Sequence, residues 1–221
     1  MKHVQYGAGW ASAEGWLSFD ASPTLRIERL PLVGQLLGKF SGNPDRFPAD
    51  TRYGDIVAGL PVADGSVVGL YASHVLEHIA LTDMRVALAN SFRMLAPGGV
   101  FRLIVPDLRG RAAAYLAAEN DPEAAGRFLR GAHLGSEHRA RGVIGLVRAA
   151  LGNSAHLWMY DFAAMKHELE QAGFTAIRRA ELGDAADPLF ARVEDPGRFV
   201  DGEIVEVAIE AKRPGEAKRP G

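Results

Sequence analysis

The 221-residue sequence has no cysteine. Disulfides, thiolate-held metals and a cysteine nucleophile are therefore excluded, and a reducing compartment is expected. No apolar run approaches the roughly 20 residues that a membrane-spanning helix needs. No charged-then-apolar leader precedes Val4-Gln5-Tyr6-Gly7. The expectation is a cytoplasmic protein with no membrane partner. Neither charge dominates: the formal net charge is -2, which gives no reason to expect nucleic acid. Arginine far outnumbers lysine, so no single arginine carries weight. The Gly-x-Ser-x-Gly elbow of a Ser-His-Asp hydrolase is missing. What is present, 48% hydrophobic and 24% charged residues, is the composition of a globular domain. The length suits one α/β domain with a sizeable core.

Residues 67–106 carry the strongest pattern. Val67-Val68-Gly69-Leu70-Tyr71-Ala72-Ser73 and Val100-Phe101-Arg102-Leu103-Ile104-Val105-Pro106 are apolar and β-branched, as strands buried on both faces are. Between them Met84, Ala87, Leu88, Ser91, Phe92 and Leu95 fall at helical spacing. Thr82 or Asp83 offers the cap, and Pro97-Gly98-Gly99 the stop. Strand, helix, strand at this length is a right-handed crossover between parallel strands. Such sheets bind ligands beyond the carboxyl ends of their strands. Ser73, His74, Glu77 and His78 stand at one such end, Pro106 and Asp107 at another.

A first strand at 3–6 runs into Gly7-Ala8-Gly9, where glycine permits a sharp turn and close approach of backbone to a ligand. A second, Trp16-Leu17-Ser18-Phe19, ends in Asp20, a carboxylate placed to accept hydrogen bonds from ribose hydroxyls. Six residues between Gly9 and Trp16 leave no room for a helix. The fingerprint of an NAD site, which needs a helix at the glycine loop, is therefore absent.

Tyr71-Ala72-Ser73-His74-Val75-Leu76-Glu77-His78-Ile79, a helix and Leu95-Ala96-Pro97-Gly98-Gly99 together resemble the class I (Rossmann-like) S-adenosylmethionine (SAM)-dependent methyltransferases. The likeness covers residues 3–107 well and 156–212 loosely. It implies an α/β Rossmann-like sheet of about seven strands, the last antiparallel, with helices on both faces and SAM as cofactor. It implies SAM contact for Gly7, Ala8 and Gly9, the ribose for Asp20, the adenine for Asp55 and Ile56, and the methionine part for Ser73 and His74. Two departures stand out. Ala11 replaces a usual third glycine, and the first crossover helix is missing. The chain thus resembles a subgroup in which a short loop ending in Gly-Trp-Leu/Ile-x-x-Asp replaces that helix. One sheet face should then be less covered and open to a partner.

The remainder reads as one domain over 1–212. Residues 25–40 offer a helix broken by Pro31. A helix at 108–119 should turn Ala113, Leu116 and Ala117 inward, and Pro122 should open another to about Leu129. Residues 131–154, with His133, His138, Arg139, Arg141 and Arg148, read as a basic lid suited to an anionic acceptor. Asp161 caps a helix with Phe162, Met165, Leu169 and Ala172 on one face, ended by Gly173. Strands follow at 174–177 and 204–211, with a loop at 187–199 cut by Pro188 and Pro196. Residues 213–221 repeat a Glu-Ala-Lys-Arg-Pro-Gly unit and read as a disordered tail.

Methyl transfer is an in-line displacement in which the protein supplies alignment and, for an oxygen nucleophile, often a base. Histidine is the natural base near neutral pH. Position favours His74 at the end of the fourth strand, and His156 near Trp158 and Tyr160. His78 reads as structural, bonding backbone at a helix start. No metal site is expected, because His133, Glu137 and His138 lack a partnered motif. The expected activity is SAM-dependent O-methylation of a small molecule, a sugar or glycoconjugate. The sequence lacks the Asn/Asp-Pro-Pro-Tyr motif of amino-group methyltransferases. A non-catalytic SAM-fold protein that binds a partner protein through the open face is the second reading. A homo-oligomer is left open.

Overall fold

The computed structural model describes residues 2–30, 46–135 and 155–215. The expected lid from 136 onward, the 31–40 part of the broken helix and the tail from 216 lie outside the described residues.

Strands β1 (Lys2–Tyr6), β2 (Trp16–Asp20), β3 (Arg52–Tyr53), β4 (Val67–Ser73) and β5 (Leu95–Val105) are joined in the sheet by β6 (Thr175–Arg179) and β9 (Val207–Lys212). A small hairpin, β7 (Val200–Asp201) and β8 (Ile204–Val205), stands apart. The order is β3-β2-β1-β4-β5-β9-β6. The first five strands pair parallel, and β9 is antiparallel to both β5 and β6. This is the expected seven-stranded sheet. The chain reverses direction across it between β1 and β4, the kind of switch point at which such sheets open a crevice.

Side-chain alternation sends each strand's residues to two cores. Val4, Tyr6, Phe19, Leu70, Ala72, Phe101, Leu103 and Ile209 face the larger one. There α2 (Leu81–Met94) contributes Met84 and Leu88, and α5 (Phe162–Gln171) contributes Met165 and Leu169. The Asp161 carboxylate caps α5 through the Ala164 amide, as expected. Helix α2 starts two residues before Thr82 would allow: Ala80 holds the N-cap position and no side chain caps it. The chain enters from a 3-10 turn at Leu76–His78 through extended Ile79, so the entry path sets the start. Strand β5 begins at Leu95 and carries Pro97-Gly98-Gly99 within it, across a register shift opposite Val67–Gly69. The helix therefore stops at Met94 by turning directly into a strand.

The second face holds Trp16, Tyr71, Ile104 and Ala208. The segment expected as plain loop covers it: 3-10 helices at Pro188–Arg192 and Pro196–Arg198 bring in Phe190, Leu189, Val193 and Phe199. Trp16 Nε1 donates to the Leu189 carbonyl at 3.1 Å, and His3 pairs with Asp187 at 2.6 Å. The face left by the missing helix is thus filled by the chain's own later residues, which corrects the expectation of an open face for a partner.

Helix α3 (Leu108–Ala117) also departs from expectation. Leu116 is 71% exposed, and Ala113 and Ala117 are exposed as well. Its one buried residue is Arg111, whose guanidinium donates twice to Glu206 at 2.8 Å and once to Asp201 at 2.8 Å. Docking by a buried ion pair replaces docking by an apolar face. Helix α4 (Ala124–Gly131) packs beside it. A short α1 (Pro23–Glu28) follows β2, capped by Ser22.

Candidate functional site

The carboxyl ends of β1, β2 and β4 meet at one edge of the sheet. Gly7 and Gly9, just past β1, hold φ values of +63° and +54°, a region glycine enters without strain. They differ in surroundings. A methyl group on Gly7 would overlap Val75 Cγ2, whereas among the described residues nothing lies within 4 Å of one on Gly9. The turn is therefore packed against the residue after His74 on one side and open on the other.

Asp20 locks this turn. Its Oδ2 accepts the Gly9 amide at 2.8 Å and its Oδ1 accepts the Ser22 amide at 2.7 Å. The Ala8 amide donates to the Phe19 carbonyl at 3.1 Å. The carboxylate is nearly buried, and each oxygen keeps a lone pair for a further donor such as a ribose hydroxyl. Asp55, past β3, accepts the Val57 amide at 2.8 Å and is half-buried. Ile56 points into the larger core, and its carbonyl accepts from Asn90 Nδ2 at 2.8 Å. Any adenine contact at Ile56 therefore falls to its backbone. Among the described residues, Ser73 Oγ is buried with no hydrogen-bond partner, as is Thr51 Oγ1 beside β3. Orphaned polar atoms beside an open glycine turn fit a polar ligand such as SAM.

His74 has φ +54°, strained for a side chain that is not glycine. Its amide donates to the Ile104 carbonyl at 2.9 Å. Its Nε2 donates to the Arg198 carbonyl at 3.0 Å, and Nδ1 lies 3.3 Å from Glu77 Oε1, at ion-pair distance but not in hydrogen-bond geometry. Burial works to lower the His74 pKa. Glu77 and the Arg198 carbonyl outweigh it and hold the value above the ordinary histidine range. Both ring nitrogens are thus engaged, so His74 ties the cleft edge to the second-face cover and does not stand free as a base.

His156 is 8% exposed and does not reach a cleft rim. Its ring packs edge-on to His78 at 4.9 Å and against His133 at 4.7 Å. Burial, assisted by His78 and His133, pushes its pKa down to about 4. His78 bonds backbone as expected, but at the Ala155 carbonyl, 3.1 Å from Nδ1, not at a helix start. Sequence reasoning missed the roles of Val75, Glu77 and Arg198. Val75 and Glu77 lay within the recognised motif, but Arg198 carries no local signal, and Val75 and Arg198 each act through a partner distant in sequence.

A family model described as "Methyltransferase domain" matches residues 35–103. No curated protein matches the sequence. Among solved structures, CurJ carbon methyltransferase aligns with TM-score 0.47 and 14% identity over 97% of this chain and 49% of that one. A Thermotoga maritima protein described as a possible histamine N-methyltransferase gives TM-score 0.48 and 13% identity over 96% of this chain and 82% of its own. A putative Haloferax volcanii methyltransferase, solved with the Trm112 activator, gives 0.48 and 15% over 96% and 82%. The chain spans about half the length of the first of these. The segment matched by the family model takes in β3, β4, α2 and most of β5 and is less than half of the 221 residues.

Proposed function

We propose that this domain transfers the methyl group of SAM to a hydroxyl of a small acceptor, a sugar or glycoconjugate. One observation carries the cofactor half: Asp20 holds the Gly9 amide beneath open space, at the strand ends where β1, β2 and β4 converge. In this reading Gly7, Ala8 and Gly9 give close backbone approach, Asp20 takes the ribose hydroxyls, Asp55 and the Ile56 backbone flank the adenine, and Ser73 meets the methionine part. When bound, SAM supplies an electrophilic methyl group on a sulfonium. The chain's own contribution is alignment: both His74 nitrogens are occupied, so His74 positions the β4 end. The cleft between α3 and α4 offers Tyr115 and Phe128, rings 5.7 Å apart, beside Arg127. Flat rings of this kind suit a sugar face, and Arg127 at the rim is paired with Asp121.

Calorimetry with S-adenosylhomocysteine tests the cofactor half. Wild type should bind at one site. Asp20→Asn, which keeps size and one acceptor, should weaken binding by about 10- to 100-fold, equivalent to roughly 1.5–3 kcal/mol for charge-assisted hydrogen bonds. Equal binding by both proteins would place the ribose elsewhere. Labelled methyl transfer into fractionated small-molecule extracts then tests the acceptor class. Label found only in protein or nucleic acid would reject it.

A further inference from the structure

Glu77 is fully buried; among the described residues no hydrogen bond reaches either carboxylate oxygen, and His74 Nδ1 stands 3.3 Å from Oε1 as an ion pair. Burying a carboxylate with one ion pair and no hydrogen bonds is costly, and native structures seldom leave one so. What surrounds it is nitrogen. His78 Nε2 lies 3.8 Å from Glu77 Oε1. One ligand atom each from Glu77, His78 and His156 lie within 4.8 Å of one another.

The tautomer of His78 sharpens the point. Its Nδ1 is 3.1 Å from the Ala155 carbonyl, which can only accept, so Nδ1 carries the hydrogen. Nε2 then presents a lone pair to a carboxylate oxygen across 3.8 Å, too far for a hydrogen bond. Moving a proton onto either group leaves that gap unbridged. A cation between them meets both lone pairs.

The arrangement has further marks of a metal site. Imidazoles that ligate metals usually donate their other N–H to a carbonyl or carboxylate, and His78 does so at Ala155. His156 Nδ1 is held 3.2 Å from Met159 Sδ. The two contributing segments are fastened together independently of any ion: the Leu157 and Trp158 amides donate to the Glu77 carbonyl at 2.7 and 3.2 Å. Two imidazoles and a carboxylate make a three-ligand set that leaves a position open, and nitrogen donors favour transition ions over magnesium or calcium. Ligand bonds of about 2.0–2.2 Å require the three atoms to draw together by about 1 Å.

We infer that Glu77, His78 and His156 form a binding site for one divalent transition-metal ion, beside the His74 end of the cleft. The inference does not depend on the methyl acceptor or on methyl transfer.

The test uses the full chain, stripped with chelator and titrated with Zn(II). One equivalent should bind and raise the melting temperature, and Co(II) should bind with visible d–d absorption. Glu77→Gln and His156→Ala should each weaken Zn(II) binding at least 100-fold. His167→Ala, at an exposed histidine on α5, should leave it unchanged. Folding of each variant is checked by circular dichroism. A wild type that takes up no Zn(II) and no Co(II) overturns the site. So does stoichiometric binding that survives both Glu77→Gln and His156→Ala. Because wild-type uptake is decisive by itself, a variant that fails to fold does not rescue the proposal.

Discussion

Replacing Gly7 by alanine should destabilise the fold through two separable effects. The first is backbone: a φ of +63° costs an L-residue about 1–2 kcal/mol. The second is steric: the new methyl would overlap Val75 Cγ2 and stand 3.2 and 3.3 Å from Val75 Cβ and Cγ1. Overpacking of this kind costs about 1–3 kcal/mol. Gly7→Ala should therefore lose about 2–5 kcal/mol, a large part of the roughly 5–15 kcal/mol of a typical domain. Gly9 provides the control. Its φ of +54° brings the backbone cost, but among the described residues no atom lies within 4 Å of an added methyl. Gly9→Ala should lose only about 1–2 kcal/mol. It should nevertheless weaken S-adenosylhomocysteine binding, because its methyl occupies the space proposed for the cofactor. Val75→Ala removes the opposing methyls, so adding it to Gly7→Ala should recover the steric part. Urea denaturation of the wild type, both single variants and the double variant gives that coupling directly. Additivity within about 0.5 kcal/mol would refute the contact. So would a Gly7→Ala cost no larger than that of Gly9→Ala.

Arg102 is buried on the second face, bonded to Glu194 and Glu210 at 2.7 Å each and paired with Asp184 at 2.9 Å. Arg102→Met should cost about 3–5 kcal/mol in urea denaturation, because it strands buried carboxylates. A cost below about 1 kcal/mol would show that those carboxylates find other partners. Burial works to raise the Asp184 pKa, but Arg178 and Arg102 outweigh it and hold it below the ordinary carboxylate value. The stability it contributes is present above the ordinary Asp pKa and lost as pH falls through the lowered one, so Asp184→Asn should flatten the acid limb of a melting-temperature profile. An unchanged limb would reject the coupling. Phe190→Ala should cost about 3–5 kcal/mol and raise hydrogen exchange along β2 and β4, since Phe190 packs against Trp16 at 5.3 Å. Exchange confined to residues 188–192 would mean that the cover is not integral to the sheet.

The sheet was legible because its strands are contiguous apolar runs. Gly7, Gly9 and Asp20 stand at the ends of β1 and β2, as read from the sequence, and the short loop left no room for a helix. What escaped depends on residues far apart. Leu116 looked like a core residue of α3, but the helix is held by Arg111, whose partner Glu206 lies 95 positions away. Position made His74 a candidate base, yet its ring is claimed by Glu77 and by Arg198, 124 residues on. His156 stands near Trp158 and Tyr160 in sequence, but in the fold its ring packs against His78 and His133. The second-face cover did carry a readable signal. Asp187-Pro188 and Asp195-Pro196 each set a capping carboxylate before a proline, and each starts a 3-10 helix. The prolines were read as breaks when they were starts.

That cover also dictates an order of events in time. Trp16 must wait for Leu189, 173 positions later, and His3 for Asp187, 184 positions later. At about 5–20 residues per second of synthesis, the interval is of the order of 10–35 s. From the completion of β5 at Val105 to the synthesis of Leu189, about 4–17 s at that rate, the strands β1, β2, β4 and β5 are all present while Trp16 and Tyr71 lack their cover. Contacts this distant also slow refolding of the finished chain. In pulse-labelled exchange, protection of the Trp16 indole N–H should lag behind that of the Leu70 amide. The interval between the two is the period in which the half-dressed sheet is exposed to aggregation and to chaperones.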